Sequence, residues 1–434
     1  MRSLGDKVKD LRKSRNISQM DLAAFIGTKP DKIVEVEAGR EEYNPRHIRA
    51  IEELFDIVGM PLEESKRPAF VMRLYLWRAY ARNERMINEA IKMRDEMAKV
   101  VNLESCDYDL AMQYKLFDIQ MLITESNFTA AEEKFCSLKG EIGKFSNENL
   151  FHYYYCEGYL GLQSKQYEEG LGCFLKAYEL LENNDDFLPD DDKTYERLLY
   201  IIAWCYNCIA MPHRAKSFLL KAKEIYSENM IDDLGFYIDS MLAWNYITTN
   251  ELKDAEKLLS KCLVKAQSVN DDLLVGLAMH DFGRFHKKNK NWEIAIAYYN
   301  HALHYLHEGS EQYLSALYNK IHCLIDAREF PEAQKLLEQA KIRYHSDETW
   351  AIYFNALWHY RIVSRRISVR NYESTDYIEN VAIPCFEKNY DYFFILDFCK
   401  LLESHYEEVK SYRNSLLMSK KIKEIYERCF VNYY

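Results

Sequence analysis

Turn-forming residues are scarce: 14 glycines and 8 prolines in 434 residues, under half of the roughly 12% that soluble proteins average. That scarcity excludes collagenous and low-complexity chains and leaves a mostly helical one. No run of 18 apolar residues occurs, so no membrane span is expected. The N-terminal MRSLGDKVKDLRKSRN lacks the apolar segment of a secretory signal. Eleven cysteines without a regular framework argue for reduced thiols, hence a cytoplasmic protein. Cys205 and Cys208 form a lone CxxC inside a helical pattern and read as small near-core residues rather than a zinc or redox pair. No Walker A loop, HExxH or GxSxG is present, and the GxG of Gly170 and Gly172 falls within a helix, so neither catalysis nor a cofactor is expected. His301, His304 and His307 recur three apart, which turns the outer two about 120° from each other on a helix and argues against a metal site. Aromatics, by contrast, are plentiful at 14%, with 34 tyrosines. The net charge of −11 opposes a nucleic-acid coat but permits a local DNA-reading module.

The first 65 residues have their own pattern. Leu4, Val8 and Leu11 form an apolar stripe, with Lys7, Lys9, Arg12, Lys13 and Arg15 on the other face. Ser18 reads as the N-cap of a short helix through Leu22, Ala23 and Ile26, closed by Gly27. Thr28 reads as the cap of the next, with Pro30 in its first turn, Ile33 and Val36 inside it and Gly39 at its end. A fourth helix after Pro45 uses Ile48, Ile51, Leu54 and Phe55. LRKSRNISQMDLA, IVEVEAG and the Pro45 to Leu54 segment together resemble the Cro/repressor-type (XRE) helix-turn-helix. The resemblance implies that the helix opening at Thr28 lies in the major groove of double-stranded operator DNA, with Ser18 and Gln19 on phosphate. Its candidate DNA contacts are Ser18, Gln19, Thr28, Lys29, Asp31, Lys32, Glu35 and Arg40. Residues 1–65 hold 11 basic against 13 acidic side chains, whereas residues 1–16 alone carry six against two. Positive charge is therefore local, and DNA binding is expected through a dimer.

Beyond residue 110 an internal repeat appears. A bulky turn residue recurs at Phe128, Tyr167, Pro212, Leu252, Trp292 and Phe330, spaced 39, 45, 40, 40 and 38. Three residues after each stands a small one (Ala131, Gly170, Ala215, Ala255, Ala295, Ala333). Four further on comes a large one (Phe135, Phe174, Leu219, Leu259, Tyr299, Leu337). Nine residues before each turn stand Ile119, Gly158, Ala203, Ala243, Gly283 and Ile321. Short side chains let two helices of a hairpin approach closely, and this spacing resembles the tetratricopeptide repeat. The widest gap holds the acidic NNDDFLPDDDK (183–193), expected to be a solvated loop. The expected fold is all-α, a helix-turn-helix domain (1–65), a linker with irregular first helices (66–110), tetratricopeptide-like repeats forming an α-solenoid (111–345), and C-terminal repeats or capping helices with candidate dimer contacts (346–434).

The first helix of each hairpin lines a concave groove, and its inner positions supply Tyr159, Trp204, Trp244, His280, Asp281, Arg284, Asn319 and His322, with Asn207, Asn245 and Asn355 close by. Asparagine offers an acceptor and two donors to a peptide backbone, Arg284 a fork for a carboxylate, and Trp204 and Trp244 apolar surface. The peptide-binding set is thus Trp204, Asn207, Trp244, Asn245, His280, Asp281, Arg284, Asn319, His322 and Asn355. The whole layout resembles the RRNPP family of peptide-pheromone receptors, in length and repeat number most like its NprR-type members. The resemblance implies a quorum-sensing transcription regulator controlled by a short signalling peptide and acting as a homodimer or higher oligomer. It also implies that asparagines two before the small position hold the peptide, a pattern that Asn319 and Asn355 fit and that Asp281, Ile201 and Met241 do not. The other function class is an interaction protein that sequesters a response regulator or other signalling partner.

Overall fold

The computed structural model describes residues 4–14, 17–41, 43, 47, 50–51, 73–74, 77, 87–100, 108–183, 192–225, 233–364 and 372–430, and among these it is helical with no strand. The N-terminal part holds α1 (Leu4–Ser14), α2 (Gln19–Ile26) and α3 (Pro30–Glu37). Ser18 and Asp21 form a capping box over the orphan N–H groups of α2, and Gly27 closes it at φ 71°. α3 starts one residue later than expected: Lys29, not Thr28, is the N-cap, without a side-chain bond. Pro30 sets that start, because its fixed φ and missing N–H fit the first helical position. Val8, Leu22, Ile26, Ile33, Val36 and Ile51 bury together. Ile48, Leu54 and Phe55 lie outside the described residues.

Arg12 corrects the reading of α1. Although the sequence puts it on the basic face, it is buried, with Nε 2.7 Å from Glu37 Oε1, Nη2 2.9 Å from Glu37 Oε2 and Nη1 donating to the Ile17 carbonyl at 2.8 Å. This bidentate pair ties α1 to the end of α3.

After α4 (Ile87–Val100) the hairpins follow: α5 (Tyr108–Thr124) with α6 (Phe128–Leu138), α7 (Asn147–Gln163) with α8 (Tyr167–Glu182), α9 (Asp192–Cys208) with α10 (Pro212–Ile225), α11 (Asp233–Thr248) with α12 (Leu252–Ser268), α13 (Asp272–Lys288) with α14 (Trp292–Tyr305), and α15 (Glu311–Asp326) with α16 (Phe330–Arg343). Each bulky turn residue of the sequence pattern is the first residue of the second helix in its pair. Two residues before it the chain turns left-handed, at Ser126, Lys165, Ala210, Asn250, Lys290 and Arg328. Paired backbone bonds close each turn, such as Lys290 N to Lys287 O at 3.0 Å and Asn291 N to His286 O at 2.9 Å. These satisfy the last carbonyls of the first helix in the Schellman manner. The small and large positions of each pair are buried. Glycine at the first-helix position goes with an aromatic opposite (Gly158 with Phe174, Gly283 with Tyr299), alanine with leucine (Ala203 with Leu219, Ala243 with Leu259). In these four pairs the summed volume is similar, as close packing favours, while Ile119 with Phe135 and Ile321 with Leu337 at the two ends of the register are larger.

The chain continues through α17 (Glu348–Ser364), α18 (Tyr372–Tyr377), a π-helical segment (Ile378–Ala382), α19 (Ile383–Lys388), α20 (Tyr392–Glu408) and α21 (Tyr412–Phe430). Two compact units result, Met1–Ile202 with Glu224–Ile231, and Ala203–Lys223 with Asp232–Tyr434, so the division falls inside the repeat array. Of the acidic insert, residues 184–191 lie outside the described residues, as do 431–434 of the C-terminal FVNYY. Among the described residues no helix is long and apolar enough to cross a membrane.

Candidate functional site

Two faces carry the expected site residues. On the helix-turn-helix, Ser18 is exposed, but its hydroxyl is engaged: Oγ accepts from Asp21 N at 3.0 Å and donates to Asp21 Oδ2 at 2.6 Å. The Gln19 amide donates to Glu37 Oε2 at 2.7 Å, extending the Arg12–Glu37 pair to the start of α2. Thr28 is half-buried in the turn, whereas Lys29 and Asp31 are exposed. Lys32 pairs with Glu41, and Arg40 with Glu35 at 2.7 Å. Lys29 is therefore the cation of this helix that stands outside those two pairs. A DNA phosphate would have to compete with a carboxylate for the other two.

In the second unit α9, α11, α13, α15 and α17 carry the residues expected to line the groove. Trp204, Asn207, Trp244, Arg284 and Asn355 are half-buried there. The guanidinium carbon of Arg284 lies 3.9 Å from the Trp244 ring centroid, a cation–π contact that fixes both. Arg284 Nη1 is also 3.5 Å from Asp281 Oδ1, and Ser240 donates to the other carboxylate oxygen. Burial raises the Asp281 pKa, opposed by Arg284 and the Ser240 hydrogen bond. Asn207 Nδ2 is buried without a hydrogen-bond partner among the described residues, which leaves a donor there open to a ligand's acceptor.

Two expected residues leave the lining. Asn245 is 0% exposed, and its Nδ2 donates to the Met241 carbonyl at 2.9 Å, one turn back on its own helix. His280 packs beside the Tyr299 ring, 5.7 Å between centroids, and burial holds its pKa well below the usual histidine range. The His280 ring faces the second helix of its own hairpin and the Asn245 amide turns back on its own helix, so neither side chain stands in the open stripe.

Asn319 and His322 are also buried, but around a group the sequence reading missed. Lys287 Nζ lies 3.2 Å from Asn319 Oδ1, 2.9 Å from His322 Nδ1 and 3.8 Å from Asp397 Oδ2 of α20. Burial, then the Lys287 charge, push the His322 pKa down, so neutral His322 accepts from the ammonium. Behind it, Tyr360 donates to Asp326 at 3.2 Å, and burial lifts the Asp326 pKa to about 6. Lys287 follows Arg284 by three residues, so helical periodicity could have found it. Phe393, whose ring meets Trp244 edge-on at 5.1 Å, and Asp397 could not be found that way. His301, His304 and His307 are exposed, and among the described residues no His, Cys, Asp or Glu group could hold a metal. Cys205 is buried, its thiol pushed up to about 12 by burial.

No family model and no curated protein sequence matches the chain. Solved structures do. A Rap protein complexed with Competence and Sporulation Factor superposes at TM-score 0.67 with 15% identity, over 83% of this chain and 98% of that one. The apo form of the quorum sensor NprR from B. thuringiensis gives TM-score 0.66 with 19% identity, over 83% and 99%. NprR in complex with its cognate peptide NprX gives 0.62 with 22% identity, over 83% and 100%. The chain shares their fold. It is an all-α protein of the tetratricopeptide-like type, and one of these similar chains, NprR, holds its cognate peptide NprX.

Proposed function

We propose that the chain is a peptide-controlled transcription regulator of the RRNPP type, in which residues 1–65 bind operator DNA and a short signalling peptide lies in the groove of residues 111–345. The observation that carries the peptide half is the row Trp204, Asn207, Trp244 and Arg284, half-buried with an unpartnered amide donor, on a fold shared with an NprR–peptide complex. The regulator acts in the cytoplasm as a homodimer or higher oligomer, with 66–110 as linker and 346–434 as capping and dimer contacts. The peptide shifts a population between two arrangements of the array. Moving occupancy from mostly off to mostly on takes a differential affinity of about 5 kcal/mol.

Synthetic five- to eight-residue peptides encoded next to the gene are the first ligands to titrate. Asn207→Ala and Trp244→Ala are each expected to weaken the binding peptide at least tenfold in fluorescence anisotropy; wild-type affinity in both variants would remove the groove assignment.

For the DNA half, Lys29→Ala with Lys32→Ala is expected to abolish retention of operator DNA in a gel shift while peptide affinity stays unchanged, and to flatten the salt dependence of any residual binding. The pairing of Lys32 with Glu41 and of Arg40 with Glu35 favours a second reading, a helix-turn-helix that contacts a protein such as a response regulator. Failure of the wild-type protein to retain DNA at low salt, with peptide binding intact, would decide for that second reading.

A further inference from the structure

α20 has two opposite faces. Ile395, Phe398, Cys399 and Leu402 are buried in the C-terminal core. At 100° per residue, Phe393 and Asp397 project from the other side of the helix. Both are only half-buried. Phe393 meets the Trp244 ring edge-on at 5.1 Å, beside the Arg284 guanidinium. Asp397 Oδ2 stands 3.8 Å from Lys287 Nζ and 4.0 Å from His322 Nδ1. Both contacts fall on residues of the groove, and each matches its partner in chemistry. An aromatic edge meets an aromatic face, and a carboxylate meets an ammonium whose hydrogen-bond neighbours Asn319 and His322 are neutral.

We propose that the first turns of α20 are an internal occupant of the groove and mark out two adjoining ligand subsites, an aromatic one at Trp244 and Arg284 and a carboxylate one at Lys287, Asn319 and His322. The inference rests on the peptide reading above and names the class of peptide. Four residues along a helix advance about 6 Å, and two residues along an extended chain advance about 6.6–6.8 Å. The ligand is therefore an extended segment with an aromatic side chain two residues from a carboxylate, a side-chain and a terminal carboxylate being the same chemistry at that subsite. Because α20 holds the same two subsites, the peptide binds only when α20 withdraws, and apparent affinity falls with the fraction of molecules in which it has done so.

The test uses the full chain and the variant Phe393→Ala with Asp397→Asn, which leaves the buried face of α20 intact. Without any peptide, hydrogen exchange of amides 392–398 is expected to rise at least tenfold in the variant while 399–406 keep their protection. Unchanged protection at 392–398 overturns the internal occupant. The second arm titrates the fluorescein-labelled pentapeptide Gly-Phe-Ala-Asp-Gly against both proteins, with Gly-Ala-Ala-Asn-Gly as control. The first is expected to bind the variant at least tenfold tighter than wild type, and the control to bind neither. Faster exchange without tighter binding overturns the ligand class. The peptide reading itself fails separately, when the gene-neighbouring peptides bind wild type and Trp244→Ala alike.

Discussion

Glu37→Ala is expected to destabilise the helix-turn-helix by about 3–5 kcal/mol, the cost of leaving a buried charge without its partner. The Arg12 guanidinium would keep only its bond to the Ile17 carbonyl, and the Gln19 amide would lose its acceptor as well. A whole domain is stable by about 5–15 kcal/mol, so a loss of this size is enough to open a module of short helices. Hydrogen exchange read separately over α1–α3 and over α11–α17 localises the effect: protection collapses in the first set and persists in the second. DNA retention is lost with it, while the groove keeps its peptide. Arg12→Met with Glu37→Leu is the control, because apolar residues of similar volume commonly replace a buried pair at little cost. A double variant as unstable as Glu37→Ala would mean that the bonds to Ile17 and Gln19, not the charge pair, hold the helices together.

The difference between this pair and the repeats explains what could be read in the sequence. The hairpin register is a short-range pattern: turn, small and large positions lie within 16 residues of one another and repeat six times. Each predicted turn residue accordingly falls on the first residue of a second helix. Arg12 and Glu37 are 25 residues apart and occur once, and on a helical wheel Arg12 sits on the basic face of its helix. The groove was legible to the same depth. Trp204, Trp244 and Arg284 follow from the inner positions of their own helices, but the inward turn of Asn245 and His280 depends on packing that the local period does not carry. Phe393 and Asp397 depend on where α20 comes to rest against hairpins formed far earlier in the chain, and no local period encodes that.

Gly283→Ala tests the register where it is tightest. A Cβ at Gly283 would stand 2.4 Å from Tyr299 Cε1, and the Tyr299 ring is fully buried, so it has nowhere to go. Overpacking of this kind costs about 1–3 kcal/mol, occasionally more, against about 1 kcal/mol returned by alanine's better helix propensity. The depth of the clash puts the expected net loss near 2 kcal/mol. Tyr299→Leu alone opens a cavity and is also expected to destabilise. Together the two changes reproduce the alanine–leucine pair that Ala243 and Leu259 already form one hairpin earlier. Leucine also forfeits no hydrogen bond, since the Tyr299 hydroxyl has no partner among the described residues. The double variant is therefore expected to recover most of the loss, with a coupling of at least 1 kcal/mol in a double-mutant cycle from chemical denaturation. Additive effects would mean that the two positions are not a packing pair. Gly283 lies between Asp281 and Arg284 on α13, so the same cycle run on peptide affinity asks whether the closeness of a hairpin positions its groove residues: affinity falls in Gly283→Ala and returns in the double variant.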